Sequence, residues 1–265
     1  MGDLLGMGGQ KLEFSKALKE WIGKPQFLVF NLEAQIYSKT HLPLLRQSFK
    51  NEDFFKSLAR DFHHSRLVAG VANNHFHDFS ELDRLDGFKK LEDLGYTLVG
   101  ERGCPSLSLA SGLQLHCHTA WIDRAHGVAG VEDLDISHAS QHLLFLHAGV
   151  EFSVDPDHEL MEFEKKLPPQ VLALIGHHTH RPSGIEQTSQ RLVAWSLGNI
   201  CTPFGGDPVR WGQVLKLRLK KSGDTWSVSD GLWSYLYCRE TTTGAVVELA
   251  PAYAFHEKIN SPTIP

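Results

Sequence analysis

The feature that most constrains the fold is a set of four short apolar runs, each giving way at once to polar, chemically competent residues. Phe27-Leu28-Val29-Phe30 leads into Asn31-Leu32-Glu33, and Leu67-Val68-Ala69-Gly70-Val71 leads into Ala72-Asn73-Asn74-His75-Phe76-His77-Asp78. Leu143-Leu144-Phe145-Leu146 leads into His147-Ala148-Gly149-Val150-Glu151, and Val171-Leu172-Ala173-Leu174-Ile175 into Gly176-His177-His178-Thr179-His180. Unbroken apolar runs of this length read as strands buried on both faces, the pattern of a parallel sheet covered by helices. In an open α/β sheet the carboxyl ends of the strands converge on one crevice, where ligands bind. Four strands with the same kind of ending therefore point to one site rather than to four unrelated loops.

Helical patterns fall between the runs. Phe54, Phe55, Leu58 and Phe62 mark one helix face. Leu82, Leu85, Phe88 and Leu91 mark a second, with Ser80 as N-cap and Gly95 just past its end. Leu160, Met161 and Leu167 mark a third, stopped by Pro168-Pro169. From about Leu192 onward the pattern becomes that of antiparallel sheet. Leu215, Leu217 and Leu219 alternate with Lys216, Arg218 and Lys220 before a Ser222-Gly223-Asp224 turn, and Trp226, Val228, Trp233, Tyr235 and Tyr237 alternate after it. The expected class is α/β, with two packed mixed β-sheets flanked by helices, in one domain over residues 1–265 with a β-rich last third.

Composition narrows the function classes. A net charge of −5 over 265 residues gives no electrostatic reason to expect nucleic acid. No apolar run approaches the length of a membrane span, and no signal segment opens the sequence, so the default compartment is cytoplasmic. Cys104, Cys117, Cys201 and Cys238 form no C-x-x-C pair and read as reduced, mostly buried thiols. The 16 histidines matter only through their placement at strand ends.

Each piece alone is weak. Asn31 could cap or turn the chain, Glu33 could be a solvated carboxylate, and an isolated H-x-H can face water. Together they describe a metal site. Neutral imidazoles and carboxylates suit Zn²⁺, Mn²⁺ or Fe, an Asn carbonyl is a hard neutral ligand, and a bridging carboxylate can hold two cations about 3.5–4 Å apart. His75, beside Asn74, could protonate a leaving group or bind a charged oxygen.

The order Gly2-Asp3, Asn31-Leu32-Glu33, Ala72-Asn73-Asn74-His75 with Asp78, His147-Ala148-Gly149-Val150-Glu151, Gly176-His177-His178-Thr179-His180 and Ser196-Leu197-Gly198-Asn199 resembles the calcineurin-like metallophosphoesterase superfamily. Within it the match is to the CapA branch, named for poly-γ-glutamate capsule synthesis. The six blocks span residues 2 to 199. The resemblance implies a metallophosphoesterase-like αββα sandwich and a divalent metal (Mn, Fe or Zn), as one or two ions. It assigns Asp3 to the first metal and Glu33 to the bridging position. Asn74 and His147 go to the second metal, and His178 and His180 ligate one ion each, with His177 as the alternative register. His75 becomes the catalytic acid and Glu151 a carboxylate that contacts substrate or supports the ligands.

Three departures accompany the resemblance. The usual Asp-x-His is here Asp3-Leu4-Leu5, so one first-metal ligand is missing. Ala148 and Thr179 replace a common Trp and Pro. Only two residues precede Asp3, where the superfamily has a core strand, so either the sequence is cut short at that end or Asp3 is mobile and a first metal is held poorly. The leading expectation is a metal-dependent hydrolase of an anionic small-molecule or polymer substrate, linked to a capsule polymer, with envelope association allowed by the resemblance. The alternative is a degenerate, non-catalytic member that binds an anionic ligand or assists a polymer synthase.

Overall fold

A computed structural model describes residues 1–6, 11–37, 48–121, 127–136, 140–202 and 206–251. Each of the four apolar runs is a strand: Phe27–Leu32, Arg66–Gly70, Gln141–His147 and Val171–His177. They divide between two sheets. The first runs Asn199–Cys201, Asp3–Leu4, Phe27–Leu32, Arg66–Gly70, Tyr96–Val99, all parallel. The second runs Ile185–Gln187, Leu192–Ala194, Val171–His177, Gln141–His147, Leu113–Thr119, Ser106–Ala110, parallel at its centre and antiparallel at both edges.

The sheets meet through Val68 and Val99 of the first and Leu115, Cys117, Leu143, Phe145 and Ala173 of the second. On the outer face of the first sheet, Leu28, Phe30, Leu67 and Ala69 pack against α1 (Lys16–Ile22), α2 (Asp53–Asp61) and α3 (Glu81–Asp93). On the outer face of the second, Leu144, Leu146, Leu174 and Val193 pack against α4 (His158–Lys166) through Leu160. The layers are helix, sheet, sheet, helix, as expected. Burial on both faces is the reason the central strands carry no polar alternation.

Two expectations are corrected. In α3 the Ser80 cap forms, its Oγ accepting from Asp83 N, but Leu82 is 80% exposed and Leu85 48%. The inward face is Arg84, Gly87, Phe88 and Leu91. Gly87 turns toward Ile36, where an added Cβ would sit 3.2 Å from the Ile36 carbonyl oxygen, and the Arg84 guanidinium stacks on Phe76 at 4.3 Å. That close approach sets the rotation of the helix and leaves the two leucines outside. The long antiparallel meander begins at Trp211; before it, Leu192–Ala194 makes only a short antiparallel pair with Ile185–Gln187. On its other side Leu192–Ala194, which is buried, runs parallel to Val171–His177 in the second sheet, and Asn199–Cys201 is buried and enters the first sheet parallel to Asp3–Leu4. Trp211–Ser222, Thr225–Thr241 and Gly244–Ala250 then form the expected meander, which Lys11–Phe14 joins in parallel.

Candidate metal centre

Strand register brings two rows of polar residues face to face. In the first sheet Asp3 lies between Asn199 and Asn31, and in the second His147 lies between Thr119 and His177. Asp3, Glu33, His147 and His177 each place one ligand atom within 4.8 Å of all the others, and all four residues are buried.

Asp3 is hydrogen-bonded through both its backbone and its carboxylate. Its N–H donates to the Gly198 carbonyl at 2.8 Å, and the Met1 amine donates to the Val29 carbonyl at 2.8 Å. Its carboxylate accepts from Asn31 Nδ2 (2.8 Å, Oδ1) and His178 N (2.8 Å, Oδ2), with His177 Nδ1 3.1 Å from Oδ1. The short Asp3–Leu4 strand has a parallel partner on each side. Asn31 Nδ2 also reaches Glu33 Oε1 at 3.3 Å, while its own Oδ1 accepts from Asn73 Nδ2 at 3.2 Å. The two asparagines thus hold both carboxylates in place.

His147 looks two ways. Its Nδ1 is 3.0 Å from His177 Nδ1 and 3.3 Å from Glu33 Oε1. Its Nε2 is 3.1 Å from Asn74 Oδ1, and the His178 ring stands 4.3 Å away, centroid to centroid. Among the described residues, His178 Nδ1 and Glu33 Oε2 are buried without a hydrogen-bond partner. His180 Nδ1 lies 3.0 Å from Asn199 Oδ1, 3.7 Å from Asp3 Oδ2 and 3.8 Å from Glu33 Oε2. Of the histidine run, His177 therefore joins the tightest group, His180 borders its carboxylates, and His178 stands beside His147. The Val171–His177 strand carries His177 straight inward, whereas His178 (φ 103°) and His180 (φ 59°) arrive through a left-handed turn that few non-glycine residues adopt.

Outside this group, His75 Nδ1 is 2.8 Å from Asp78 Oδ2, with its side chain 19% exposed. Glu151 is exposed, close enough for its charge to act on Glu33.

The two carboxyls are driven in opposite directions. Burial raises Glu33, and the charges of Asp3, Glu151 and Asp78 add to this, so it lies well above the usual carboxylate range. Burial also pushes Asp3 upward, but the His177 hydrogen bond, the charges of His177 and His180, and Asn31 outweigh it and hold Asp3 low. Burial is the main cause that lowers three of the imidazoles and so favours their neutral form. It pushes His178 down to about 3, lowers His177 against the pull of Asp3, and lowers His147 with help from the other histidines. Neutral imidazoles, an ionised carboxylate, a second carboxyl with an unpartnered buried oxygen and an unpartnered imidazole nitrogen are a donor set that fits a divalent cation.

Sequence reasoning passed over Trp121, whose Nε1 donates to His178 Nε2 at 3.0 Å. It lies two residues beyond the Leu113–Thr119 strand, which sequence periodicity does not reveal, and it bears no ligand atom.

Residues 109–203, which carry the His147 and His177 strand ends, match the family model for the bacterial capsule synthesis protein PGA_cap. Over that stretch the chain is similar to the PGA_cap family. The PGA_cap stretch supplies His147, His177, His178 and His180, while Asp3, Glu33 and Asn74 lie ahead of it. No curated protein matches the chain in sequence. Among solved structures, a hypothetical protein from Thermus thermophilus is similar, with a TM-score of 0.48, 14% identity, and coverage of 95% of this chain and 100% of that one. The calcineurin-like phosphoesterase YfkN from Bacillus subtilis is similar with a TM-score of 0.41, 12% identity, and coverage of 88% of each chain.

Proposed function

We propose that the chain is a metal-dependent hydrolase of anionic substrates, phosphoesterase-like in its chemistry, that serves the synthesis or processing of a capsule-type polymer. The observation that carries this reading is the buried group of Asp3, Glu33, His147 and His177, drawn from four strand ends to within 4.8 Å. These residues would hold the ion, and Asn74, His178 and His180 stand where they could complete its shell or hold a second. Mn, Fe and Zn all suit the donors. When bound, such a cation supplies Lewis acidity toward an oxygen of water or of the substrate.

The remaining work falls to the chain's own side chains. His75 is oriented by Asp78 through Nδ1, which leaves Nε2 to deliver a proton to a leaving-group oxygen. Glu151, exposed at the edge of the site, contacts the substrate. A poly-γ-glutamate substrate would replace phosphoester cleavage by amide cleavage at the same centre. The compartment, cytoplasm or envelope, belongs to this reading too; among the described residues no helix is long and apolar enough to cross a membrane.

A second reading, a non-catalytic member that binds an anion or assists a synthase, is favoured by Leu4 and Leu5. Both are buried and apolar where a further ligand would follow Asp3. The deciding experiment is elemental analysis of protein purified without chelator, followed by turnover of generic phosphoesters and of poly-γ-glutamate with Mn²⁺ supplied. Metal-stimulated turnover that collapses in His75→Ala supports the hydrolase. Stoichiometric metal with no turnover of either class supports the binding reading, and absence of bound Mn, Fe or Zn removes the basis of the proposal.

A further inference from the structure

Trp121 and Phe152 are 43% and 56% exposed, and both stand against histidines of the site. The Trp121 ring packs edge-on to His178 at 5.0 Å between centroids, and the Phe152 ring lies 5.9 Å from His180. The His178 and His180 rings are 6.0 Å apart, so the four form a row with an aromatic at each end.

The Phe152 backbone sits at φ 65°, a conformation that residues with bulky side chains rarely take. It is held there from both sides. Phe152 N donates to the Thr179 carbonyl at 2.7 Å, and Arg181 Nη1 donates to the Phe152 carbonyl at 3.3 Å. Backbone strain that keeps an aromatic ring in water contributes nothing to the core. Such outliers concentrate where a ligand will meet them. Val150, in the same turn, adds a further 58% exposed apolar side chain.

We infer that the Trp121–Phe152 rim is a subsite for a planar ring attached to the anionic centre of the substrate. The site therefore selects aryl- or nucleobase-bearing anions over small alkyl ones. This rests on the reading of the histidine–carboxylate centre as one that takes an anion, and it concerns recognition rather than bond cleavage. A ring laid on an aromatic side chain gains about tenfold in affinity or more.

The test compares phenylphosphonate with methylphosphonate, which carry the same charge and have no cleavable ester, by calorimetric titration of the Mn²⁺-supplemented protein. Phenylphosphonate is expected to bind about tenfold tighter. Trp121→Ala and Phe152→Ala should each remove most of that preference. Trp121→Phe, which keeps a ring but loses the hydrogen bond to His178, should retain it; melting curves confirm that the variants fold. Equal affinities, no binding of phenylphosphonate at millimolar concentration, or a preference that survives both alanine changes together would each overturn the inference. Phosphoester turnover is measured separately. Preference without turnover removes the hydrolase and leaves the ring subsite, and turnover without preference does the reverse.

Discussion

Replacing Glu33 by glutamine keeps the shape of the side chain and removes its ability to ionise. In the metal-free fold Glu33 is held protonated by burial first, then by the charges of Asp3, Glu151 and Asp78. Glu33→Gln therefore exchanges one neutral group for another, and stability of the metal-free protein should change by less than about 1 kcal/mol. Metal binding demands the opposite state, because a carboxyl must lose its proton to act as a ligand. One released proton makes wild-type affinity rise about tenfold, or about 1.4 kcal/mol, per pH unit. The rise runs from the ordinary carboxylate range up to the raised Glu33 value and then levels off. Burial lowers His147, His177 and His178, so their own proton release is displaced toward acid, away from the upper part of that interval. The variant should show a flat profile and weaker binding throughout. Titration calorimetry with Mn²⁺ at about pH 5.5 and about pH 7, in buffers of different ionisation enthalpy, counts the protons directly. Wild-type protein that binds metal without releasing a proton, or a variant with the wild-type slope, would refute the reasoning.

Asn31→Ala removes the donor shared by Asp3 and Glu33 and should weaken metal binding by about 10–100-fold; unchanged affinity in a metal titration counts against its positioning role. Acid should destabilise the fold early. His116 and His178 are pushed by burial down to about 4 and about 3, and His118, His147 and His177 also lie low. Groups depressed in the fold contribute stability that is complete above their unfolded pKa of about 6.5 and is lost as pH falls. Denaturant midpoints that stay level down to about pH 5 would contradict this sign. Gly176→Ala would put a Cβ 2.0 Å from the Trp195 carbonyl oxygen. Two backbone segments would have to separate, so a loss above about 3 kcal/mol is expected in urea unfolding, and a loss below about 1 kcal/mol would show that the strands can part.

The four strands that end at the site were legible because parallel strands covered on both faces have little freedom to be polar. The Leu113–Thr119 strand was not, since it interleaves Gln114, His116 and His118 with its apolar residues. Those histidines are buried because each finds a partner inside: His116 Nε2 lies 2.8 Å from His142 Nδ1, and His118 Nδ1 lies 2.6 Å from the Gly130 carbonyl. Sequence periodicity does not register such pairing. The ligand residue types at the site were legible, but the choice among His177, His178 and His180 turned on where the strand ends and the left-handed turn begins. The rotation of α3 was set by the tertiary contact of Gly87 with Ile36, which no local pattern encodes.

The placement of Asp3–Leu4 in mid-sheet also sets a schedule. Asp3 reaches His178 across 175 residues, and the Leu5 carbonyl receives the Cys201 thiol across 196. Contacts this distant in sequence close late, after the intervening chain has lost most of its freedom. On a ribosome adding about 5–20 residues per second, Asp3 would wait roughly 10–40 s for the strand that closes over it. A nascent chain stalled ahead of Asn199 should therefore carry most of the donor atoms and still lack the pocket that gathers them.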